Sequence, residues 1–464
     1  MTAGLLEKES TGGATARVGF EYQDAYVLQN LPRWLAQSAF SHVVSEAVGD
    51  VQVCYYAPAR AVRHLMVEAK NHALSSTEFW DEVARFKQAQ EASAQEHVRF
   101  ALVCPAYNGK TAPFVAMLAR LRGVGSSYQE HSAILQRDRD EVLAWAKKQE
   151  VHEGLAHFAL HHIEFETYSA ESADAAFAGE FERHLPSIDL TGKQAARLRD
   201  RFKQYIAQSS IGPVYRSQLE SALTEVLDGS SPEWAGNPTR VQLSGGRVAL
   251  EQLALPAHEF VGPKRSAKVA SDWQELLGSA QDIAAFLTRS TERRCVVLDG
   301  RQGMSAACLL GHAFRATNNF VLHVEHNGEV YRTDFYEQAS GPFFHSALES
   351  GAPDAAQGAV SIAFTTEVGA DLDLAKVGIP HGAAVFSLSG RPVASHAEMN
   401  LSVAEAKAAL VKFRSEHRLE VLHLFIKGPA AFAMLLGHRL NGVCRVQLYD
   451  WVDGGYRATA LLDA

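Results

Sequence analysis

Along the first hundred residues the spacing of apolar positions changes several times. Phe20, Val27, Leu28, Leu31, Trp34 and Leu35 recur at helical spacing, which predicts an amphipathic helix after a small, polar, flexible start over residues 1–16. HVVSEAVGDVQVCYY (42–56) and RHLMVEAKNH (63–72) then read as β-rich runs separated by the turn-like APAR. STEFWDEVARFKQAQEA (76–92) returns to helical spacing with Ser76 or Thr77 as its cap, and VRFALVC (98–104) predicts a buried strand ending at Pro105. Residues 110–225 read as mostly helical. LDGSSPEWAGNPTR (227–240) gathers Gly, Ser, Pro and Asn and predicts a linker, so a first domain of residues 1–226 precedes a second of residues 227–464.

Beyond the linker the chain repeats itself. Residues 293–333 and 419–459 each carry an apolar strand, a Gly-containing turn, a helix with LLGH, a second strand and a Tyr-Arg ending. Gly311 and Gly437 stand 126 residues apart, Tyr331 and Tyr456 stand 125 apart, so one indel separates the copies. An offset held over four elements predicts a duplication, and strand-helix-strand units predict parallel sheets.

Length and composition exclude several classes. The 464 residues, 47% hydrophobic and 21% charged, exclude one small fold, a disordered scaffold and a fibre. Windows of about 18 residues all contain charges, and the opening MTAGLLEKES has no apolar signal core, so a cytosolic protein with no membrane segment is expected. Five scattered cysteines without CxxC spacing argue against disulfide scaffolds and zinc ribbons. With 44 Lys plus Arg against 53 Asp plus Glu, bulk charge does not advertise a nucleic-acid binder. A local positive surface is still available where Lys193, Arg197 and Arg201 follow one helical face at i, i+4, i+8. The same spacing also describes an ordinary solvated helix.

Candidate chemistry centres on Glu68-x-Lys70 in LMVEAK. A second such triplet, Glu405-x-Lys407, lies in a helical segment where residues two apart face different ways, so the triplet alone is weak evidence. On a strand, period two places Glu68 and Lys70 on one face, with Leu65, Val67 and Ala69 toward the core. Asp50, at the start of the preceding β-run, would join them if the strands pair antiparallel. Two carboxylates suit Mg²⁺, which keeps waters and bridges to phosphate oxygens, and an adjacent ammonium suits phosphodiester hydrolysis. A surface Glu-Lys pair on an edge strand is the competing reading.

GFEYQDAYVLQNL (19–31), then Glu46 and Asp50, then VEAKNH, resembles the PD-(D/E)xK-type endonuclease domain of the CD-NTase-associated protein 4 family of bacterial antiphage effectors. The resemblance spans roughly residues 12–110. It implies Asp50 and Glu68 as metal ligands for Mg²⁺ (or Mn²⁺), Lys70 as the catalytic lysine, Gln23 as a supporting residue, and double-stranded DNA as substrate. The duplicated half, with HLFIKGPAAFAMLLGHRLN and VQLYDW, resembles a SAVED domain of two fused CARF/Rossmann-like α/β units, about 232–355 and 356–464. The implied fold is therefore a restriction-endonuclease-like αβ domain with a helical extension, followed by that sensor. A cyclic oligonucleotide second messenger, recognised between the halves, would drive self-association and license DNA cutting. Turns between strand ends and helix starts suit phosphates. Lys264, Arg265, Trp273 (for base stacking), Arg301, Ser389, Arg391 and Lys427 are the candidate contacts, while His312 and His438 read as buried core. A nucleotide-sensing adaptor without nuclease activity and a ligand-independent restriction-type endonuclease are the alternatives.

Overall fold

The computed structural model describes residues 3–45, 49–57, 62–94, 96–125, 132–208, 212–227, 237–243, 249–326, 328–349, 356–364, 374–380 and 382–463. Glu46 and residues 228–236 of the expected linker lie outside them. The chain divides into two compact units, Met1–Trp234 and Ala235–Ala464.

In the first unit, helix α1 (Ala3–Ala36) already covers the stretch expected to be a flexible start, and it buries Tyr22, Tyr26, Val27, Leu28, Leu31, Trp34 and Leu35. The run read over 42–56 is two strands, β1 (Phe40–Ser45) and β2 (Val51–Tyr56), and β3 (Val62–Ala69) follows. Helix α2 (Ser76–Ala92) is capped by Ser75, one residue earlier than expected, because Ser75 and Glu78 form a reciprocal capping box. Next come β4 (His97–Cys104), α3 (Thr111–Gly125), α4 (Ala133–Lys148), α5 (Glu153–His162), β5 (Ile163–Thr167), α6 (Ala173–His184), α7 (Gly192–Gln208), β6 (Val214–Tyr215) and α8 (Arg216–Val226).

Among the described residues six strands form one sheet in the order β5-β4-β3-β2-β1-β6. The β1, β2 and β3 strands pair antiparallel, whereas β3, β4 and β5 are parallel, with α2 as the crossover from β3 to β4. Strand β3 is therefore central, and both of its faces are covered: Leu65, Met66, Val67, Glu68 and Ala69 are each at most 5% exposed. Met66, on the face of Glu68, packs with Phe79, Val83 and Phe86 of α2. The expected split into a core face and an open face is replaced by a strand buried on both sides.

A buried arginine ties the ends of this unit together. Arg216 opens α8, pairs with Glu220 at 2.8 Å, and donates to the carbonyls of Gln37, Ser38 and Phe40 between α1 and β1. Both side chains are about 97% or more buried. Arg216→Ala would remove the ion-pair partner of a buried carboxylate and the donor to several carbonyls, so the melting transition of the first unit should show a loss of about 3–5 kcal/mol. A loss under about 1 kcal/mol would contradict this role.

The described residues of the second unit form two sheets of matching construction. The first uses β7 (Thr239–Leu243), β8 (Leu253–Leu255), helix α9 (Ala270–Ser290), β9 (Cys295–Asp299), α10 (Met304–Ala313), β10 (Val321–His326) and β11 (Glu329–Arg332), in the order β11-β10-β9-β7-β8. The second uses β12 (Phe344–Glu349), β13 (Gln357–Ala363), β14 (Ala384–Gly390), α11 (His396–His417), β15 (Val421–Lys427), α12 (Ala430–His438), β16 (Arg445–Val452) and β17 (Gly455–Asp463), in the order β12-β14-β13-β15-β16-β17. Without β12 the two orders correspond element for element, each with four parallel strands and an antiparallel hairpin edge. The duplication thus reaches beyond the aligned segments to include β7 with β13, β8 with β14, and α9 with α11. Strand β12 pairs with β14, so residues 344–349 belong to the second sheet, not to the first half where the expected boundary at 355 placed them.

The two LLGH helices pack on each other through their glycines. A Cβ at Gly311 would stand 2.0 Å from the Met434 carbonyl oxygen, and one at Gly437 would stand 2.0 Å from that of Cys308. These contacts exchange under the 126-residue offset, so the helices cross at the centre of the repeat. His312 and His438 are each 2% exposed, and burial pushes both down to about 4, which keeps them neutral core residues as expected. Among the described residues no helix is long and apolar enough to cross a membrane.

Candidate functional site

The candidate centre forms where β2 begins and β3 ends. Antiparallel register sets Val51 opposite Val67, and one step outward Asp50 accepts a hydrogen bond from the Ala69 N–H at 2.7 Å. That bond fixes the Asp50 carboxylate against β3 next to Glu68. Burial, and then the Glu68 charge, push the Asp50 carboxyl up to about 6. Lys70, the first residue beyond β3, donates to Glu68 Oε1 at 2.7 Å. The strand thus brings Asp50, Glu68 and Lys70 together through the pairing expected from spacing.

Two further members come from α2 and were not found in the sequence. Glu82 Oε1 lies 3.0 Å from Lys70 Nζ, and Glu82 Oε2 accepts from Arg85 Nε at 2.7 Å. Arg85 also donates to Glu68 Oε2. Burial alone would lower the Lys70 ammonium, but its bonds to Glu68 and Glu82 outweigh burial and raise it, so it stays charged. Glu82 is held below the usual carboxylate range because its bonds from Lys70 and Arg85 overcome burial. The available sequence signal was positional: Glu82 and Arg85 flank the apolar stripe Phe79, Val83, Phe86 of α2.

Gln23 is on α1, and among the described residues no hydrogen bond joins it to Asp50, Glu68 or Lys70. The second acidic-x-Lys triplet is structural. Glu405 accepts from the backbone N–H groups of Phe343 and Phe344, while Lys407 donates to the Asn441 carbonyl.

Helix α7 buries Ala195, Leu198, Phe202 and Ile206, which turns Lys193, Arg197 and Arg201 outward. Arg201 is paired with Glu225 at 3.1 Å. Lys193 and Arg197 form no ion pair among the described residues.

In the second unit Arg301 and Lys427 stand 126 residues apart, at equivalent places of the two copies. Each is exposed, follows or ends the parallel strand β9 or β15, and precedes an LLGH helix. Ser389 lies near the carboxyl end of β14, partly exposed. Arg391 pairs with Glu398 at 2.7 Å and lies over the Phe343 ring at 4.7 Å. Lys264 is 3.7 Å from Glu259.

Two expectations need correction here, Trp273 as a stacking ring and the start of α10 as a phosphate site. Trp273 is 2% exposed and packs edge-on against Phe260, so its ring offers no free face to a base. Arg265 is engaged across the repeat, donating to the Trp451 carbonyl at 2.8 Å with Asp450 at 3.4 Å. The start of α10 is not free for phosphate either, because buried Asp450 accepts from the Ser305 N–H at 3.1 Å.

Comparison with known proteins agrees with this architecture. Residues 11–210 match the family model "Cap4, dsDNA endonuclease domain", and residues 280–462 match the SAVED model, "SMODS-associated and fused to various effectors sensor domain". CD-NTase-associated protein 4 of Moraxella osloensis is 46% identical over 463 residues, and that of an Acinetobacter species is 44% identical over 464, with both chains covered throughout. The solved structure of the Acinetobacter baumannii Cap4 SAVED/CARF-domain containing receptor with the cyclic trinucleotide 3'3'3'-cAAA aligns at a TM-score of 0.88 and 41% identity, covering 96% of this chain and 99% of that one. The Moraxella osloensis receptor aligns at 0.86 and 43% identity, covering 97% and 100%. With two full-length relatives above 40% identity and both domain models matched in order, the chain belongs to the CD-NTase-associated protein 4 family, a double-stranded DNA endonuclease domain joined to a SAVED sensor domain.

Proposed function

We propose that this chain hydrolyses double-stranded DNA with a divalent metal, Mg²⁺ with Mn²⁺ as a substitute, after a cyclic trinucleotide binds the duplicated unit and gathers several chains in the cytosol. The observation that carries the catalytic part is the Asp50 carboxylate clamped by Ala69 N–H beside buried Glu68, with Lys70 on the same strand end.

The donor set fits a hard cation. Asp50 ionises reluctantly because it is buried beside a second carboxylate, and a dication would relieve both penalties. Asp50 and Glu68 would hold it; among the described residues no group of three or more His, Cys, Asp or Glu is placed to hold a metal ion, Glu82 being turned to Lys70 and Arg85, so the remaining positions fall to oxygens of water, backbone or phosphate, as suits Mg²⁺. Once held, the ion would acidify a water and offset charge on the phosphorane-like transition state. Lys70 supplies a fixed ammonium that orients the water or the scissile phosphate.

Messenger recognition rests on the paired cations Arg301 and Lys427 at strand ends, with Ser389, Arg391, Lys264 and Arg265 as further candidates. Open parallel sheets bind ligands at that end, and the cyclic trinucleotide in the Acinetobacter baumannii relative sets the ligand class. Self-association answers a charge problem. A chain of net −9 holds a polyanion poorly, and several copies of the Lys193 and Arg197 face on one duplex multiply the phosphate contacts.

Plasmid DNA with Mg²⁺ and a panel of cyclic di-, tri- and tetranucleotides tests the reading. Cutting is expected only with a cyclic trinucleotide, and to stop with EDTA. Cutting without any nucleotide would refute the gating. Replacing Lys193 and Arg197 by glutamine should lower the slope of log affinity against log salt by about 1–2 for each messenger-bound copy on the duplex, evenly across DNA sequences. An unchanged slope would remove α7 from the DNA face.

A further inference from the structure

Glu68 is an unusual metal ligand in one respect, because both of its oxygens are already engaged. Oε1 accepts from Lys70 at 2.7 Å and Oε2 accepts from Arg85. Its side chain is 7% exposed and fixed to the central strand, so Glu68 has little freedom to turn elsewhere. Arg85 is 41% exposed on α2, and a second acceptor, Glu82 Oε2, lies 2.7 Å from its Nε. Lys70 also reaches Glu82, at 3.0 Å, but it is 28% exposed and follows β3 directly, so Arg85, more exposed and on a separate helix, is the partner with room to give way. We propose that Arg85 is a built-in competitor for the metal: its guanidinium occupies Glu68 Oε2 and must yield that oxygen before a divalent ion is held by both carboxylates, while Glu82 keeps the displaced side chain in the site.

Formal charges support retention of Arg85. Asp50, Glu68 and Glu82 carry three negative charges against two positive ones on Lys70 and Arg85. A dication turns that balance to one positive charge, which a DNA phosphate would neutralise. Were the guanidinium lost to solvent, the loaded site would have no surplus positive charge to offer the phosphate. A guanidinium bound to a buried carboxylate makes a charge-assisted hydrogen bond, so the competition it imposes on a cation is substantial. Arg85 is thus a positioning residue for the metal ligand, and the inference rests on the metal reading above.

The test measures Mn²⁺ binding to the full chain without DNA, by the loss of the free Mn²⁺ electron paramagnetic resonance signal. Arg85→Gln should bind Mn²⁺ about tenfold more tightly than wild type. Arg85→Lys, which keeps the charge but loses the planar fork, should fall between them and guards against a folding defect in the first variant. Lys87→Gln removes an equal charge from α2, where Lys87 is paired with Glu91 at 2.6 Å; it should change affinity less than twofold. Equal affinity in wild type and Arg85→Gln would overturn the inference while leaving the metal site intact. Tightening by Lys87→Gln as large as by Arg85→Gln would also overturn it, since general charge would then explain the effect. No Mn²⁺ binding by wild type or by any variant would overturn the metal reading itself.

Discussion

Asp50→Asn is expected to abolish DNA cleavage, by about 10³-fold or more, and at the same time to make the metal-free nuclease unit more stable at neutral pH. The two effects share one cause. Asparagine can still accept the Ala69 N–H bond, so the β2–β3 register survives, but the charge that repels Glu68 and would bind the metal is gone. The sign of the stability effect follows from the raised carboxyl. In the folded chain Asp50 titrates near 6, above the range of an unfolded aspartate. Folding therefore pays a penalty that is absent below about pH 4, grows between 4 and 6, and is complete above 6. With the partial exposure of the group discounted, the gain from asparagine should be on the order of 1 kcal/mol at pH 7–8 and should vanish by about pH 4. Melting curves in EDTA across that interval give the answer. A gain that is the same at pH 4 and pH 8 would show that Asp50 is not held as an unfavourable anion.

The second large effect should come from one methyl group. Gly437→Ala sets a Cβ 2.0 Å from the Cys308 carbonyl oxygen, inside any real carbon–oxygen contact, and Gly311→Ala does the same against Met434. Both neighbours are helix backbone in a fully buried crossing, so neither can move aside without separating α10 from α12. Overpacking of this kind costs about 3 kcal/mol or more, enough to loosen the duplicated unit and remove messenger binding. Gly278 on α9 supplies the control, because a Cβ there meets nothing within 4 Å. Gly278→Ala should be neutral or stabilise by up to ~1 kcal/mol. If Gly437→Ala melts with wild type, the helix crossing is not what joins the halves.

These sites differ in how far the sequence revealed them. Period two and the strand order were enough to bring Asp50 to Glu68 and Lys70, because an antiparallel neighbour with little offset has few alternatives. The near-constant offset of 126 and then 125 residues exposed the duplication, whereas the equivalence of Arg301 and Lys427 emerged only with strands β9 and β15 in place. Glu82 and Arg85 were hidden because their role depends on which turn of α2 lies over the end of β3, and no local period encodes that. Asp450 was hidden for a similar reason: it caps α10 from a strand more than a hundred residues away, and Arg265 then holds it. Trp273 misled because aromatic residues suit both a base and a core, and the apolar face of α9 settles which applies. Strands β5 and β12 are only five and six residues long, too short for periodicity to separate them from their surroundings.

The most direct test combines two readings on Lys70→Ala: heat of cyclic trinucleotide binding and cutting of supercoiled plasmid with Mg²⁺ at saturating nucleotide. The expected result is wild-type binding heat with no cutting, since the ammonium serves hydrolysis in the first unit and has no part in recognition by the second. Cutting at the wild-type rate would contradict the account, because the acid pair and its lysine would then not be where the phosphodiester is broken.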